Sequence, residues 1–177
     1  MVLFKPTYIQ VCLLSNFTDK NLILKKRQRG ISTLILVYIF DLCFTQYEHS
    51  ALVMVPDEYV KSRVFRGIVK VMFDNLPELF KKGVKVTDNS IRFPNGSSLT
   101  VCTRFRSGAA TLLYVMEYPE HILKYGYDEL IGITGTVDAN GGQVFMDTTE
   151  ITTSLHLDVF SDFSVVDIKG SIEDFVA

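Results

Sequence analysis

The sequence has few cysteines and few histidines, and neither residue type forms a recognisable site. Its three cysteines, Cys12, Cys43 and Cys102, are odd in number, far apart and without a C-x-x-C pair. This number and spacing indicate neither a disulfide framework nor a zinc knuckle. Cysteines without a disulfide pattern favour a reducing compartment. The three histidines share no metal-ligand spacing with each other or with a cysteine, so we assign them no chemistry.

The sequence also lacks an apolar run long enough to cross a membrane. The longest run, from Ile31 to Phe44, is interrupted by Asp41 and is shorter than the roughly 20 residues that a spanning helix needs. At the N-terminus, Lys5 and Pro6 interrupt the apolar residues before a signal-peptide core can form. We therefore expect a protein that neither spans a membrane nor is secreted.

Basic residues are scarce in the last part of the chain. Residues 1–106 hold 16 of the 18 Lys and Arg and carry a formal charge of +8, whereas residues 107–177 carry −10. This asymmetry indicates a phosphate-bearing partner for the first part. Two solvated faces of opposite sign would give the same counts, so both interpretations stay open here.

Strand-like and helix-like patterns alternate along the 177 residues, and no linker divides them. Strands are predicted over residues 8–14, 21–24, 51–55, 83–87, 90–93, 98–102, 111–116 and 143–146. Helices are predicted over residues 32–44, with Ser32 or Thr33 as N-cap, and 58–73, capped by Asp57. The turn Pro94-Asn95-Gly96 indicates an antiparallel hairpin. We expect an α/β fold with a mainly parallel sheet flanked by helices and an inserted hairpin.

One strand-to-helix turn could hold phosphate. The phosphate-loop consensus G-x-x-x-x-G-K-[ST] requires glycine, lysine and a hydroxyl, and here Gly30 and Ser32 match while Ile31 stands at the lysine position. Positive charge comes earlier instead, from Lys25, Lys26, Arg27 and Arg29. Cations at the start of the loop could meet the same phosphates. A basic turn with an ordinary helix cap would have the same sequence.

The segment Lys25-Lys-Arg-Gln-Arg-Gly-Ile-Ser-Thr-Leu34 resembles the variant Walker A segment of large terminase subunits, the ATPases that package DNA into tailed bacteriophages. Three further segments resemble that family in the same order: Ile91–Ser97 its strand and Asn-Gly-Ser turn, Arg106–Gly108 its Arg-Gly segment, and Leu112–Tyr118 its Walker B strand. The resemblance covers about residues 20–150 and leaves 151–177 unmatched. It implies that residues 1–177 form a single P-loop NTPase-like ATPase domain with no nuclease domain.

The resemblance also implies the nucleotide-binding residues, which are Lys25, Lys26, Arg27, Gln28, Arg29, Gly30, Ile31, Ser32 and Thr33. One of the first three would contact the phosphates, residues 28–31 would wrap them with backbone N–H groups, and Ser32 would reach Mg²⁺. Thr33 would complete the helix start. Tyr8, Gln10 or Phe17 could serve as the adenine contact.

Glu117 takes the place of the family's catalytic glutamate, so we expect it at the end of the strand next to the phosphate-loop strand, with its carboxyl group facing the loop. Met116 stands where many relatives carry aspartate. A thioether is a poor ligand for Mg²⁺, and Glu117 could equally be a surface residue at a strand end. Thr148 and Thr149 resemble the motif that couples the nucleotide site to DNA movement, although threonine is common at strand ends. Arginines 104 and 106 precede the Walker B strand, and we assign no arginine finger.

The expected function is binding and hydrolysis of ATP, with Mg²⁺, to drive viral double-stranded DNA into a procapsid. The resemblance implies as partners DNA, the portal, the small terminase subunit and further copies of this chain in a ring, in the cytoplasm of an infected bacterium. The alternative is a degenerate or truncated ATPase-fold module that binds nucleotide, DNA or partner subunits without turnover. An unrelated α/β protein with a basic turn is the third interpretation.

Overall fold

The computed structural model describes residues 4–25, 29–104, 110–116, 143–148 and 164–168. In chain order its elements are α1 Tyr8–Leu14, β1 Lys20–Lys25, α2 Ile31–Thr45, β2 Ser50–Met54, α3 Glu58–Val64, a π-helical segment Phe65–Val69, α4 Lys70–Asp74, α5 Glu78–Lys81, β3 Lys85–Val86, β4 Ser90–Arg92, β5 Ser98–Cys102, β6 Leu112–Val115, β7 Gln143–Thr148 and β8 Ser164–Ile168.

The strands form one sheet in the order β3-β4-β5-β2-β6-β7-β1-β8. All pairs from β5 across to β8 are parallel, whereas β3–β4 and β4–β5 are antiparallel. The predicted fold class, a mainly parallel sheet with an inserted hairpin, is confirmed. Strand β8 lies beside β1 and was not predicted, because it comes from the segment after residue 150 that the family pattern did not match.

The first segment is a helix, and our prediction of a strand over residues 8–14 was wrong. The Thr7 side chain accepts a hydrogen bond from the Gln10 backbone N–H, and Gln10 Oε1 accepts one from the Thr7 backbone N–H at 2.8 Å. This reciprocal pair is a capping box, which starts a helix. It outweighs the strand preference of the tyrosine, isoleucine and valine that follow.

Helix α2 begins at Ile31 and is capped by Gly30, so the predicted caps Ser32 and Thr33 were wrong. Gly30 has φ +67°, a left-handed conformation that glycine adopts without steric cost. Ser32 nevertheless lies in the first helical turn, as predicted. The sequence misled us because hydroxyl residues are the commonest caps, whereas here the backbone conformation of the glycine ends the loop.

The second predicted helix is confirmed at its start and differs in its middle. Asp57 Oδ1 accepts a hydrogen bond from the Val60 N–H at 2.7 Å, as a capping aspartate should. The helical path then contains the π-helical segment before α4 ends at Asp74. A π-helical segment contains wider turns than an α-helix, and the residue pattern did not reveal it.

The core lies between the sheet and the helices that follow β1 and β2. Ile23, Val53, Val101, Tyr114 and Phe145 come from five different strands, and each is 0% exposed. They form one cluster with buried apolar residues of α2. All four residues of β6 are buried, so the sheet is covered on both faces there. Within the described ranges no helix is long and apolar enough to span a membrane.

Candidate functional site

The strand-loop-helix unit that the sequence singled out is formed by β1, residues 26–30 and α2. Strand β1 is interior, with β7 on one side and β8 on the other. Its carboxyl end therefore lies at the sheet edge where ligands bind in parallel α/β folds. Lys26, Arg27 and Gln28 lie outside the described residues, and of Lys25 only the backbone, the last residue of β1, is described. Their roles stay predictions.

The first turn of α2 begins at a glycine. Gly30, the N-cap, has no side chain to accept a hydrogen bond from this turn, whereas Thr7 and Asp57 cap α1 and α3. The first N–H groups of a helix have no acceptor within the helix, and the helix dipole favours negative charge there. Ser32 and Thr33 are half-buried in this turn. The turn thus presents backbone donors and hydroxyls at the end of β1.

Ile31, at the lysine position of the consensus, lies in the core. Its side chain is 1% exposed and belongs to the main apolar cluster. Only its backbone N–H can therefore face a phosphate. The positive charge that this position usually supplies must come from another residue, and Arg29, the one loop cation whose side chain is described, is half-buried beside Gly30.

The Gln10 side chain links α1 to the loop. Its Nε2 donates a hydrogen bond to the Gly30 carbonyl oxygen at 3.0 Å, and the residue is 5% exposed. Sequence reasoning considered Gln10 only for adenine and missed this contact. The spacing from Thr7 to Gln10 is the capping-box signature, and it was the signal that could have placed Gln10 on a helix start beside the loop.

The other two adenine candidates lie in different surroundings. Tyr8 is 62% exposed on α1, and its phenol pKa is raised by a hydrogen bond with Cys12. Phe17 packs edge-on against Tyr38 and Phe145, with ring centroids 5.3 and 4.8 Å away. Phe17 is therefore part of the packing between α2 and the sheet.

Strand β6 is not the neighbour of β1, and our prediction that Glu117 follows the strand next to the phosphate-loop strand was wrong. Strand β7 lies between them, paired with β6 on one side and β1 on the other. The sequence order of strands suggested adjacency, but parallel strands pair through long connections that chain order does not specify. Glu117 itself lies outside the described residues, so its catalytic role stays a prediction.

Met116, at the end of β6, is a core residue. It is 8% exposed, and its backbone N–H donates to the Met54 carbonyl oxygen at 3.0 Å. Its side chain joins the main apolar cluster. The position where many relatives carry aspartate thus contributes apolar packing in this chain.

Strand β7 places the predicted coupling segment next to β1. Thr148 pairs in register with Leu24, one residue before the end of β1. Neighbouring strands lie about 4.8 Å apart. The end of β7 is therefore one strand spacing from the end of β1, whereas the end of β6 is two strand spacings away. Thr149 lies outside the described residues, and the coupling role stays a prediction.

Arg104 lies near the start of α3 and is exposed. The pKa of the Glu58 carboxyl is lowered, first by a hydrogen bond from Lys61, then by one from the Thr103 hydroxyl at 2.9 Å, with a smaller contribution from the Arg104 charge. This exposed cluster joins the end of β5 to α3. Arg106 lies outside the described residues.

Oxygen ligands for Mg²⁺ are sparse in the described ranges. No group of three or more His, Cys, Asp or Glu there could hold a metal ion. Of the residues that the family resemblance implies, the Ser32 hydroxyl is a suitable hard ligand and the Met116 thioether is not. Two described acidic residues on the strands beside β1 are in register with its end: Asp147 of β7 pairs with Ile23, and Asp167 of β8 pairs with Leu24. Glu117, the acid that the resemblance implies, lies outside the described residues.

The order of the parallel strands, and the left-handed glycine that caps α2 after the interior strand β1, define a mainly parallel α/β fold with a strand-loop-helix unit of the kind that binds anions. No protein-family model matches the sequence, and no curated protein matches it either.

Solved phage proteins share the fold. The Thermus phage P74-26 large terminase ATPase domain has a TM-score of 0.69 and 15% identity, over 88% of this chain and 69% of that one. The Phi-28 gp11 DNA packaging motor has a TM-score of 0.53 and 13% identity, over 91% and 59%. The large terminase of a thermophilic bacteriophage, in complex with ADP, has a TM-score of 0.52 and 10% identity, over 92% and 42%. The chain has the fold of phage large terminase ATPase domains and spans part of the longer proteins.

Proposed function

We propose that this chain binds ATP at the turn between β1 and α2 and hydrolyses it to drive double-stranded DNA into a viral procapsid. The observation that carries the proposal is Gly30, a left-handed residue that caps α2 at the end of the loop that follows the interior parallel strand β1. The fold shared with terminase ATPase domains supports the same function, as does the ADP bound by one of these neighbours.

In this proposal the loop residues hold the triphosphate. Backbone N–H groups from Gln28 to Ile31 wrap it, the cations of residues 25–27 neutralise it, and Thr33 completes the first turn of α2. Magnesium bound with the nucleotide would supply charge neutralisation on the phosphates. Ser32 would hold it, and Glu117 would orient or activate the attacking water.

The remaining partners follow from the proposed motor function. Residues 1–106 carry a formal charge of +8, which suits contacts with the phosphates of duplex DNA and predicts salt-sensitive binding. The portal, the small terminase subunit and a ring of identical chains would be protein partners, in the cytoplasm of the infected bacterium. The likeness to a DNA packaging motor supports this assignment.

Turnover by a Glu117→Gln variant tests the catalytic part of the proposal. Loss of a general base lowers kcat by about 10²- to 10⁴-fold, while ATP affinity should stay close to that of the wild type. Glu78→Gln, which changes an exposed acid on α5 paired with Lys81, is the matched control and should turn over normally. Equal turnover by all three proteins would remove Glu117 from the mechanism.

A second function, binding without turnover, is favoured by Met116. Its side chain packs in the core at a position where relatives carry a metal-binding aspartate, so the site would hold nucleotide and lack an efficient hydrolytic metal. A wild-type chain that binds ATP and shows no hydrolysis with Mg²⁺ would establish this module. Hydrolysis that depends on Glu117 would exclude it.

A further inference from the structure

We infer that Gln10 is a positioning residue for the phosphate loop: its side-chain amide holds the Gly30 carbonyl and so fixes the orientation of the first turn of α2. The inference rests on the proposed function, because it assigns a role within the same site. It gives α1 a function in nucleotide binding that acts through the backbone of the loop.

The Gln10 amide is hydrogen-bonded at both its oxygen and its nitrogen. Its Oε1 accepts from the Thr7 backbone N–H at 2.8 Å, and its Nε2 donates to the Gly30 carbonyl oxygen at 3.0 Å. At 5% exposure the side chain is removed from water. A buried amide that lost its partner would cost free energy, so these contacts hold the side chain in place.

The Gly30 carbonyl oxygen in turn accepts two hydrogen bonds. One is the first bond inside α2, from the Leu34 N–H at 3.0 Å, and the other comes from Gln10. A carbonyl oxygen has two lone pairs, and both are used. The direction of this carbonyl fixes the peptide plane between Gly30 and Ile31. The Ile31 N–H lies in that plane and is the first donor of the turn proposed to bind the anion. Gln10 therefore orients that donor.

The fit at Gly30 is close. A Cβ built on this residue would lie 2.8 Å from Gln10 Nε2, shorter than any ordinary carbon contact. The space that a side chain would occupy is thus filled by the Gln10 amide. Glycine meets two requirements at this position, the positive φ and the close approach of α1.

An effect of Gln10 on nucleotide binding should be the same for every base. The amide is directed at the loop backbone, and the donors it orients face phosphates. If Gln10 positions the loop, removal of its contact with Gly30 weakens the binding of ATP and of GTP by the same factor. A glutamine that recognised adenine would instead change the ratio of the two affinities.

Gln10→Glu separates the two contacts. A glutamate at this position keeps the acceptor for Thr7, since glutamate also completes a capping box, but it places a carboxylate oxygen against the Gly30 carbonyl. Thr7→Ala is the matched control, because it removes the cap and leaves the contact with Gly30. If the buried charge of Gln10→Glu prevents folding, Gln10→Met replaces it in the experiment, because methionine is uncharged and similar in shape to glutamine.

Hydrogen exchange and nucleotide titration on the full chain test the inference. Without nucleotide, Gln10→Glu should exchange the Leu34 amide, whose N–H donates to the Gly30 carbonyl oxygen, about fivefold to tenfold faster, the effect of losing one hydrogen bond of about 1 to 1.4 kcal/mol. The amides of β2 and β5 should exchange at the wild-type rate. The affinities for ATP and GTP should both fall about fivefold to tenfold, and Thr7→Ala should change neither the exchange of the Leu34 amide nor these affinities.

Three results would overturn the positioning role. Unchanged exchange of the Leu34 amide would show that Gln10 does not hold the turn. A loss for ATP alone would show that Gln10 recognises the base, and equal losses in Thr7→Ala would show a general destabilisation of α1. A wild-type chain that binds neither ATP nor GTP would refute the proposed function, while the exchange measurement would still decide whether Gln10 orients the turn.

Discussion

Gly30 is the residue on which the local geometry of the site depends. Its φ of +67° costs an L-residue roughly 1–2 kcal/mol, and a Cβ would press on Gln10. Gly30→Ala should therefore lower the free energy of unfolding by about 1–3 kcal/mol, measured by urea denaturation. Gly67 has a negative φ and no atom near its missing Cβ, so Gly67→Ala is the control and should be neutral or stabilising. Equal losses in both variants would contradict this account.

Ile31 contributes stability through its side chain. At 1% exposure in the core cluster, Ile31→Ala should cost about 2–5 kcal/mol and Ile31→Val about 0.5–1.5 kcal/mol, again by urea denaturation. Because this side chain is buried, Ile31→Ala changes stability and is a poor variant for binding studies. Ile31→Val is the better choice, and an unchanged midpoint for Ile31→Ala would contradict the core position.

Cys43 gives a pH-dependent signature of the core. Burial raises the pKa of its thiol to about 12, whereas an unfolded thiol ionises near pH 8.5. Unfolding thus releases a proton above about pH 8.5, so this group makes stability fall as pH rises towards about 12, by at most about 1.4 kcal/mol per pH unit. Cys43→Ala should remove that part of the slope. Identical pH profiles for the two proteins would contradict it.

The end of α2 is held by the hairpin turn between β4 and β5. Asn95 Nδ2 donates to the carbonyl oxygens of Cys43 at 2.9 Å and of Gln46 at 2.5 Å, which the end of a helix leaves without intrahelical donors. Asn95→Ala should lower the free energy of unfolding by about 1–3 kcal/mol. Asn16, which bonds only the nearby Cys12 carbonyl on the surface, is the control, and Asn16→Ala should stay within about 0.5 kcal/mol of wild type.

At the scale of elements, periodicity and turn residues predicted most of the sheet and the start of α3, and they failed at the starts of α1 and α2. The Asn-Gly hairpin and the Asp57 cap depend on local chemistry and were predicted correctly. Tyr8, Ile9 and Val11 are β-branched or aromatic and favoured a strand over residues 8–14, and only the capping box distinguishes the helix. The Gly30 cap was not predicted, because hydroxyl residues are commoner caps and Ser32 and Thr33 follow closely.

At the scale of the molecule, the sequence predicted the α/β class and the place of the loop, and it did not predict which strand ends lie beside it. Parallel neighbours are brought together by connections of a dozen or more residues, so chain order does not give the sheet order. Strand β7 beside β1, and β8 from the unmatched segment, are both consequences of such long-range pairing. Strand β7, which carries the predicted coupling residue Thr148, therefore lies next to β1, whereas β6, predicted to be the Walker B strand, does not.

Titration of ATP against wild type, Arg27→Ala and Arg92→Ala tests the central claim most directly. If the loop cations hold the phosphates, loss of Arg27 removes a charged hydrogen bond of about 1.5–3 kcal/mol and weakens binding roughly ten- to 150-fold. Arg92 is an exposed arginine on β4, which β5, β2, β6 and β7 separate from β1, so Arg92→Ala should bind ATP as the wild type does. Equal affinities for all three proteins, or no binding by any of them, would contradict the account.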